Sequence, residues 1–241
     1  MILATIQPSF LPWLGYLEQM DVADVFVYLD DVKYTRQDWR NRNRFLNAAG
    51  KAEYLTVPVR ADSDKQLIKD VLITDDPSWA RKIMNKLKSW YARAPYAEIY
   101  LPRLGAVLDQ KHERLVDLNA ALMDLLTEAY DIRTPIHSAS DAGIVATDKN
   151  QRLIDLCLYH GATVLYDGAA AANFIDRDRF LAAGIEVVFQ DYRPQPYQQD
   201  GHSFVSHLSA LDSLLWRGED ARSVLRGSPR PERLISAGAR A

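Results

Sequence analysis

The opening of the chain limits what it can fold into more than any other stretch. Residues 2–6 (ILATI) form a short apolar run that stops at Gln7-Pro8. Residues 25–29 (VFVYL) form a second, bounded by Asp24 and by Asp30-Asp31. Short continuous apolar runs ended by turn residues read as strands buried on both faces, as parallel strands are. Residues 14–20 between them read as a short helix. Parallel neighbours need a crossover of about a dozen residues or more, and this spacing supplies it. The opening is therefore a βαβ unit, and it predicts an α/β fold with a Rossmann-like, mostly parallel sheet.

Further along, residues 54–59 and 71–74 are two more strand candidates, and the middle is helical from about 76 to 132. Asp76-Pro77 offers an N-cap and a first-turn proline. Trp79, Ile83, Leu87 and Trp90 then recur at helical spacing, as do Leu115, Leu118, Leu122 and Leu125 in a longer helix over 111–130. Residues 134–148 read as a small-residue loop. The α/β alternation returns with a helix over 151–160 ended by Gly161, a strand over 164–166, a helix over 178–183 and a strand over 185–189. An amphipathic helix over 206–216 follows. From Gly218 onward Arg, Ser, Pro and Gly dominate, and the tail is expected to fray. No flexible linker isolates the helical middle. The expectation is one α/β domain over 1–225, with a helical subdomain over about 76–132 and a flexible tail over 226–241.

Composition narrows the function classes. Hydrophobic residues are 48% and charged residues 25%, ordinary for a globular fold. A net charge of -3 provides no global basic field for nucleic acid. The single cysteine, Cys157, excludes an internal disulfide framework and fits a reducing compartment. No apolar run approaches the roughly 20 residues that span a bilayer, and the first residues carry no basic leader. A cytoplasmic protein that does not insert into membranes is expected.

The chemistry-bearing residues crowd the front. After the first strand come Gln7, Ser9, Trp13, Gly15 and Tyr16, with Pro8 and Pro12 fixing an unusual loop into the helix. In open α/β sheets, ligands bind outside the carboxyl ends of strands, where such loops sit, and a helix N-terminus there favours an anion. After the second strand, Asp31 is followed by five cations, Lys33, Arg36, Arg40, Arg42 and Arg44, interleaved with Tyr34, Trp39, Asn41 and Asn43. Guanidinium forks match phosphate and carboxylate geometry. A merely solvated face has no need of the interleaved amides and aromatic rings. If this segment is extended, Arg42 and Arg44 point one way and Asn41 and Asn43 the other. Gln7, Trp13, Tyr16, Asp31, Lys33, Arg36, Trp39, Asn41, Arg42 and Asn43 are the candidate substrate-binding residues.

Three patterns together, Gln-Pro-x-x-x-Pro-Trp-x-Gly-Tyr from Gln7, Asp-x-Phe-Val-x-x-Asp-x-Val-Lys from Asp24 and Arg-x-x-Trp-x-Asn-Arg-Asn from Arg36, resemble the WbqC-like protein family. Gln190-Asp191-Tyr192 with Pro196-Tyr197-Gln198, then Phe204, Leu208-Ser209 and Asp212 to Leu215, resemble its C-terminal signature. The resemblance covers about residues 1 to 220. It implies a small enzyme associated with surface-polysaccharide or natural-product biosynthesis, one that acylates or aminoacylates an amino group. The chain departs from the pattern at 167–174, where Gly168 is kept but alanines replace small polar residues, and at His207. A fainter likeness to the opening of HxGH-type nucleotidyltransferases lacks both phosphate-binding histidines, since residues 11–16 contain none.

An amine-attack reaction calls for a base that titrates near neutrality, which histidine does unaided. His202, His207 and Asp191 are the candidate catalytic residues, with Gly168 added to the binding set. His112, His137 and His160 read as structural or loop residues. Cys157, mid-helix among leucines, reads as core, and no metal-ligand spacing is present. The expected reaction is acyl or aminoacyl transfer from a thioester to the amine of a small polar acceptor such as a nucleotide-linked amino sugar. The donor would be coenzyme A or the phosphopantetheine of an acyl or peptidyl carrier protein. The alternatives are a non-catalytic small-molecule-binding protein and a nucleotidyltransferase-like enzyme.

Overall fold

The computed structural model describes residues 1–60, 66–201, 203–231 and 234. The opening folds as a βαβ unit: β1 (Ile2–Ile6), α1 (Leu14–Val22) and β2 (Val25–Tyr28), the two strands parallel in register Leu3 to Val25. Helix α1 is buried all the way round from Leu14 to Met20, the polar Glu18 and Gln19 included. A hairpin of β3 (Arg42–Leu46) and β4 (Ala52–Thr56) follows, then the short antiparallel pair β5 (Val59–Arg60) and β6 (Leu72–Ile73). The expected strand over 54–59 is thus split at Val57-Pro58, since proline cannot donate to a ladder.

The helical middle comprises α2 (Ser78–Trp90), α3 (Ala97–Leu108) and α4 (Leu115–Tyr130). The stretch expected to be a loop over 134–148 contains β7 (Ile136–Ser138), which pairs parallel with β2. Three residues with one apolar side chain leave no periodic signature. The rest alternates: α5 (Lys149–His160), β8 (Val164–Asp167), α6 (Arg177–Ala182), β9 (Glu186–Phe189) and α7 (Ala210–Arg217). The chain beyond Gly218 does not fray at once. Helix α8 (Ala221–Arg226) buries Ala221, Val224 and Leu225, and Arg226 and Arg230 both bind the Asp21 carboxylate.

Strand order in the five-stranded parallel sheet is β7-β2-β1-β8-β9. Side chains alternate between two cores. Ile2, Ala4, Phe26, Tyr28 and Tyr166 pack with α1 and the helical section, while Leu3, Val27, Leu165 and Val187 pack under α5 and α6. The chain leaves β1 toward β2 on one side and reaches β8 on the other. That reversal makes the carboxyl ends of β1 and β8 the topological switch point, where α/β sheets bind ligands. Among the described residues, no helix is long and apolar enough to cross a membrane.

Candidate functional site

A cleft of about 1010 Å³ opens at that switch point, floored by Thr5 to Gln7 at the end of β1 and by Asp167 and Gly168 at the end of β8. Its size matches pockets that enclose a small-molecule ligand.

One wall is the loop from Gln7 into α1, and the sequence builds it under strain. Leu11 is buried with φ 41, a left-handed conformation unfavourable for a branched side chain. Asn43 holds it there: its Nδ2 donates to Phe10 O (3.2 Å) and Leu11 O (2.8 Å), while its Oδ1 accepts from Arg44 N (2.8 Å). Tyr16 Oη donates to Gln7 O (3.2 Å), and Ala210 N at the start of α7 donates to Pro12 O (2.7 Å). The Trp13 indole lies over Gly15, stacks on His207 at 4.8 Å and meets Tyr192 edge-on at 5.5 Å. A Cβ on Gly15 would sit 2.3 Å from two indole carbons. Gly15→Ala is therefore expected to displace Trp13 and cost ~1–3 kcal/mol of overpacking, more than alanine's gain in helix propensity. Urea denaturation with tryptophan fluorescence measures both, and unchanged stability and emission would show that the indole has room to spare.

Cations enter from two separate elements. Arg40 and Arg44 come from the hairpin region, and Lys149 and Arg152 from the first turn of α5, whose N-terminus faces the cleft. Arg40 is paired with Asp38 at 3.0 Å and Arg152 with Asp31 at 2.5 Å. Burial lowers the pKa of Arg40 against the pull of Asp38, Tyr16 and Tyr34. Arg44 donates to His207 O (3.0 Å) and sits 6.0 Å from the Trp39 ring. Lys149 lies 5.4 Å from the Phe174 ring. Neither Arg44 nor Lys149 has a carboxylate partner among the described residues. The α5 N-terminus is itself capped by Asp148, whose side chain accepts from Gln151 N (3.0 Å), so the attraction for an anionic ligand rests on Arg44 and Lys149.

The carboxyl group that sequence reasoning missed is Asp167. Burial raises it to about 7, against the opposing hydrogen bond from Gly168 N (2.7 Å). A carboxyl titrating near neutrality in a cleft is a candidate proton acceptor. Its only sequence signal is its position at the carboxyl end of a buried strand. Cys157 is buried and pushed up to about 12, by burial first and then by Asp167, so it has no nucleophilic thiolate near neutral pH.

The structure brings together Gln7, Trp13, Tyr16, Trp39, Asn43, Gly168, Asp191 and His207 as lining residues. Asn43 reaches the cleft edge as a brace for Leu11. Arg42 lies instead over the Tyr54 ring at 4.4 Å, and Asn41 Nδ2 donates to Val57 O (2.9 Å), pinning the hairpin. Asp31 is outside the lining and pairs with Arg152, Lys33 bridges to Leu67, and Arg36 is outside the lining. His202 lies outside the described residues. Asp191 is exposed and accepts from Arg193 Nη2 at 2.6 Å. Burial, and then Arg44, lower His207's pKa, so its imidazole is neutral at pH 7; its Nδ1 faces Ser206 Oγ at 2.8 Å. Among the described residues, no group of three or more His, Cys, Asp or Glu side chains converges to hold a metal ion.

The chain is 33% identical over 226 residues to the uncharacterized protein Rv1507c of Mycobacterium tuberculosis (strain ATCC 25618 / H37Rv), covering 92% of this chain and 96% of that one. No solved structure matches it. The family model described as WbqC-like protein family matches residues 7–224, a span that holds the front loop, the hairpin, Asp167 and α7, and the chain belongs to that family.

Proposed function

We propose that this protein is a transferase that acylates or aminoacylates the amine of a small anionic acceptor, such as a nucleotide-linked amino sugar, in polysaccharide or natural-product biosynthesis. The observation that carries the reading is Asp167. It is a buried carboxyl, held at about 7 by burial, in a cleft that also receives Arg44 and Lys149, cations without a carboxylate partner among the described residues. The two cations hold the acceptor's phosphates. Trp13, Trp39 and Tyr192 offer ring faces and edges to its flat or apolar parts.

With Cys157 buried and protonated, the acceptor amine itself attacks the donor carbonyl. The donor is a thioester of coenzyme A or of carrier-protein phosphopantetheine. The N–C bond forms, Asp167 takes the ammonium proton of the tetrahedral intermediate, the C–S bond breaks, and the thiolate leaves and is protonated by solvent. His207 shapes the wall around Trp13.

The test is incubation with coenzyme A thioesters and amino-sugar nucleotides, with mass spectrometry for amide and a thiol assay for the leaving group. Amide and free thiol in equal amounts are expected. A protein that binds such a nucleotide but turns over no donor would be a binding module on the same frame. Pyrophosphate release from a nucleoside triphosphate would make nucleotidyl transfer the correct reading.

A further inference from the structure

A chain of buried amides behind the cleft has one free end. Gln190 Nε2 donates to Gly15 O (2.7 Å) and to Glu18 Oε2 (2.5 Å). A backbone carbonyl only accepts, so this atom of Gln190 must be the –NH₂. Gln190 Oε1 is then the other atom, and it accepts from Gln19 Nε2 at 2.9 Å. Glu18 is held in turn by Tyr166 Oη, 3.1 and 3.0 Å from its two oxygens. Every orientation in the series follows from the Gly15 carbonyl, and the series ends at Gln19 Oε1. That oxygen is buried, has no hydrogen-bond partner among the described residues, and belongs to a residue that lines the cleft while only 4% exposed. Gly168 lies against this amide, since a Cβ there would be in van der Waals contact with Gln19 Nε2 at 3.4 Å.

A buried acceptor without a donor costs free energy, and native proteins retain one where a ligand or water completes it. We infer that Gln19 is a specificity-determining residue whose Oε1 reads an N–H or O–H donor on the ligand, with Gln190 and Glu18 as its positioning residues. Identifying that donor as the acceptor's amine rests on the transferase reading; the subsite itself does not. The oxygen cannot donate, so the subsite discriminates against a ligand whose corresponding atom is fully substituted or is itself only an acceptor.

Two measurements test this. In ¹⁵N-labelled wild-type protein, titration with methylammonium chloride should shift the Gln19 side-chain amide signals, and tetramethylammonium chloride, of equal charge but no N–H, should not. Equal shifts from both, or none from either, would overturn the subsite. Calorimetry then compares wild type with Gln19→Met, which keeps the side chain's volume. UDP-glucosamine should bind the variant about tenfold more weakly or worse, the loss of one good hydrogen bond, while UDP alone binds both equally. Equal affinity of UDP-glucosamine for both proteins would overturn the role of Gln19. If methylammonium shifts Gln19 but neither UDP nor UDP-glucosamine binds, the subsite stands and the nucleotide-linked acceptor is wrong.

Discussion

If the proposed transfer reaction is right, Asp167→Asn is expected to lower turnover by about 10²–10⁴-fold, the usual contribution of a positioned base, and at the same time to make the folded protein more stable at pH 8. The two effects share one cause. Burial raises the folded-state carboxyl to about 7, well above its ordinary value. As pH rises from the ordinary carboxylate range to about 7, the unfolded chain has lost a proton that the folded chain still binds. Stability therefore falls through that window and levels off above it. Asparagine has no proton to lose and escapes the penalty. A gain of ~2–4 kcal/mol is expected at pH 8, since each tenfold rise in the carboxylate's proton affinity on folding costs about 1.4 kcal/mol, and the gain should fade toward pH 4. The activity sign is opposite, because the base works only when ionised: wild-type turnover should rise with pH through about 7. Urea denaturation at both pH values and a rate–pH profile measure these quantities. A variant that keeps its turnover, or is less stable than wild type at pH 8, would remove Asp167 from the mechanism. The expected pattern is the stability cost of a functional site.

Much of the frame was legible because it rests on short-range signals. The apolar runs of β1, β2 and β9 declared themselves, and so did α5, stopped by Gly161 at φ 70. The extended reading of residues 42–44 also holds, with Asn43 buried and Arg42 and Arg44 on the other face. What could not be read was which of two similar residues points where. Arg42 and Arg44 share a strand face, yet Tyr54 takes Arg42 under its ring, and the clasp of Ser209 N on Arg44 O (2.9 Å) brings Arg44 beside His207. Lys149 and Arg152 join the cleft through the order of strands, which puts the start of α5 beside the end of β1. No local pattern carries that information. Asp167 was passed over for a related reason: its pKa reflects three-dimensional burial, and in sequence it is only the residue that ends a strand. Helix α8 was missed because the composition of its segment suits a tail, and its stability comes from packing on α1 and α7.

Asp212→Ala should cost ~3–5 kcal/mol, the expected penalty for stripping the charged partner from a fully buried cluster. Asp212 is wholly inaccessible, and its side-chain partners are all donors. Tyr91 Oη gives a bond of 2.7 Å, Tyr197 Oη one of 2.5 Å and Gln199 Nε2 one of 2.9 Å. Burial raises the pKa of this carboxyl, and the bonds from Tyr197, Tyr91 and Gln199 pull it back toward the ionised form. Removing it leaves the Tyr91 and Tyr197 hydroxyls without this acceptor and Gln199 Nε2 with Val205 O alone, which is worse than removing a matched pair. Asp212→Asn keeps one acceptor and should cost less than the alanine change. The consequence extends to the cleft, because Tyr91 ties Asp212 to Leu46 N (3.0 Å) at the end of β3, and Gln199 closes on Val205 just before His207. The Asp212 cluster thus fixes the segment that places His207 against Trp13, although no atom of it lines the cleft. Hydrogen exchange should show protection lost first over residues 203–210 in either variant, before the central strands β1 and β8 open. A loss below about 1 kcal/mol in urea denaturation, the value of an ordinary neutral hydrogen bond, would show that water replaces the carboxylate. The segment carrying His207 would then be held by its backbone clasps on Arg44 and Pro12 alone.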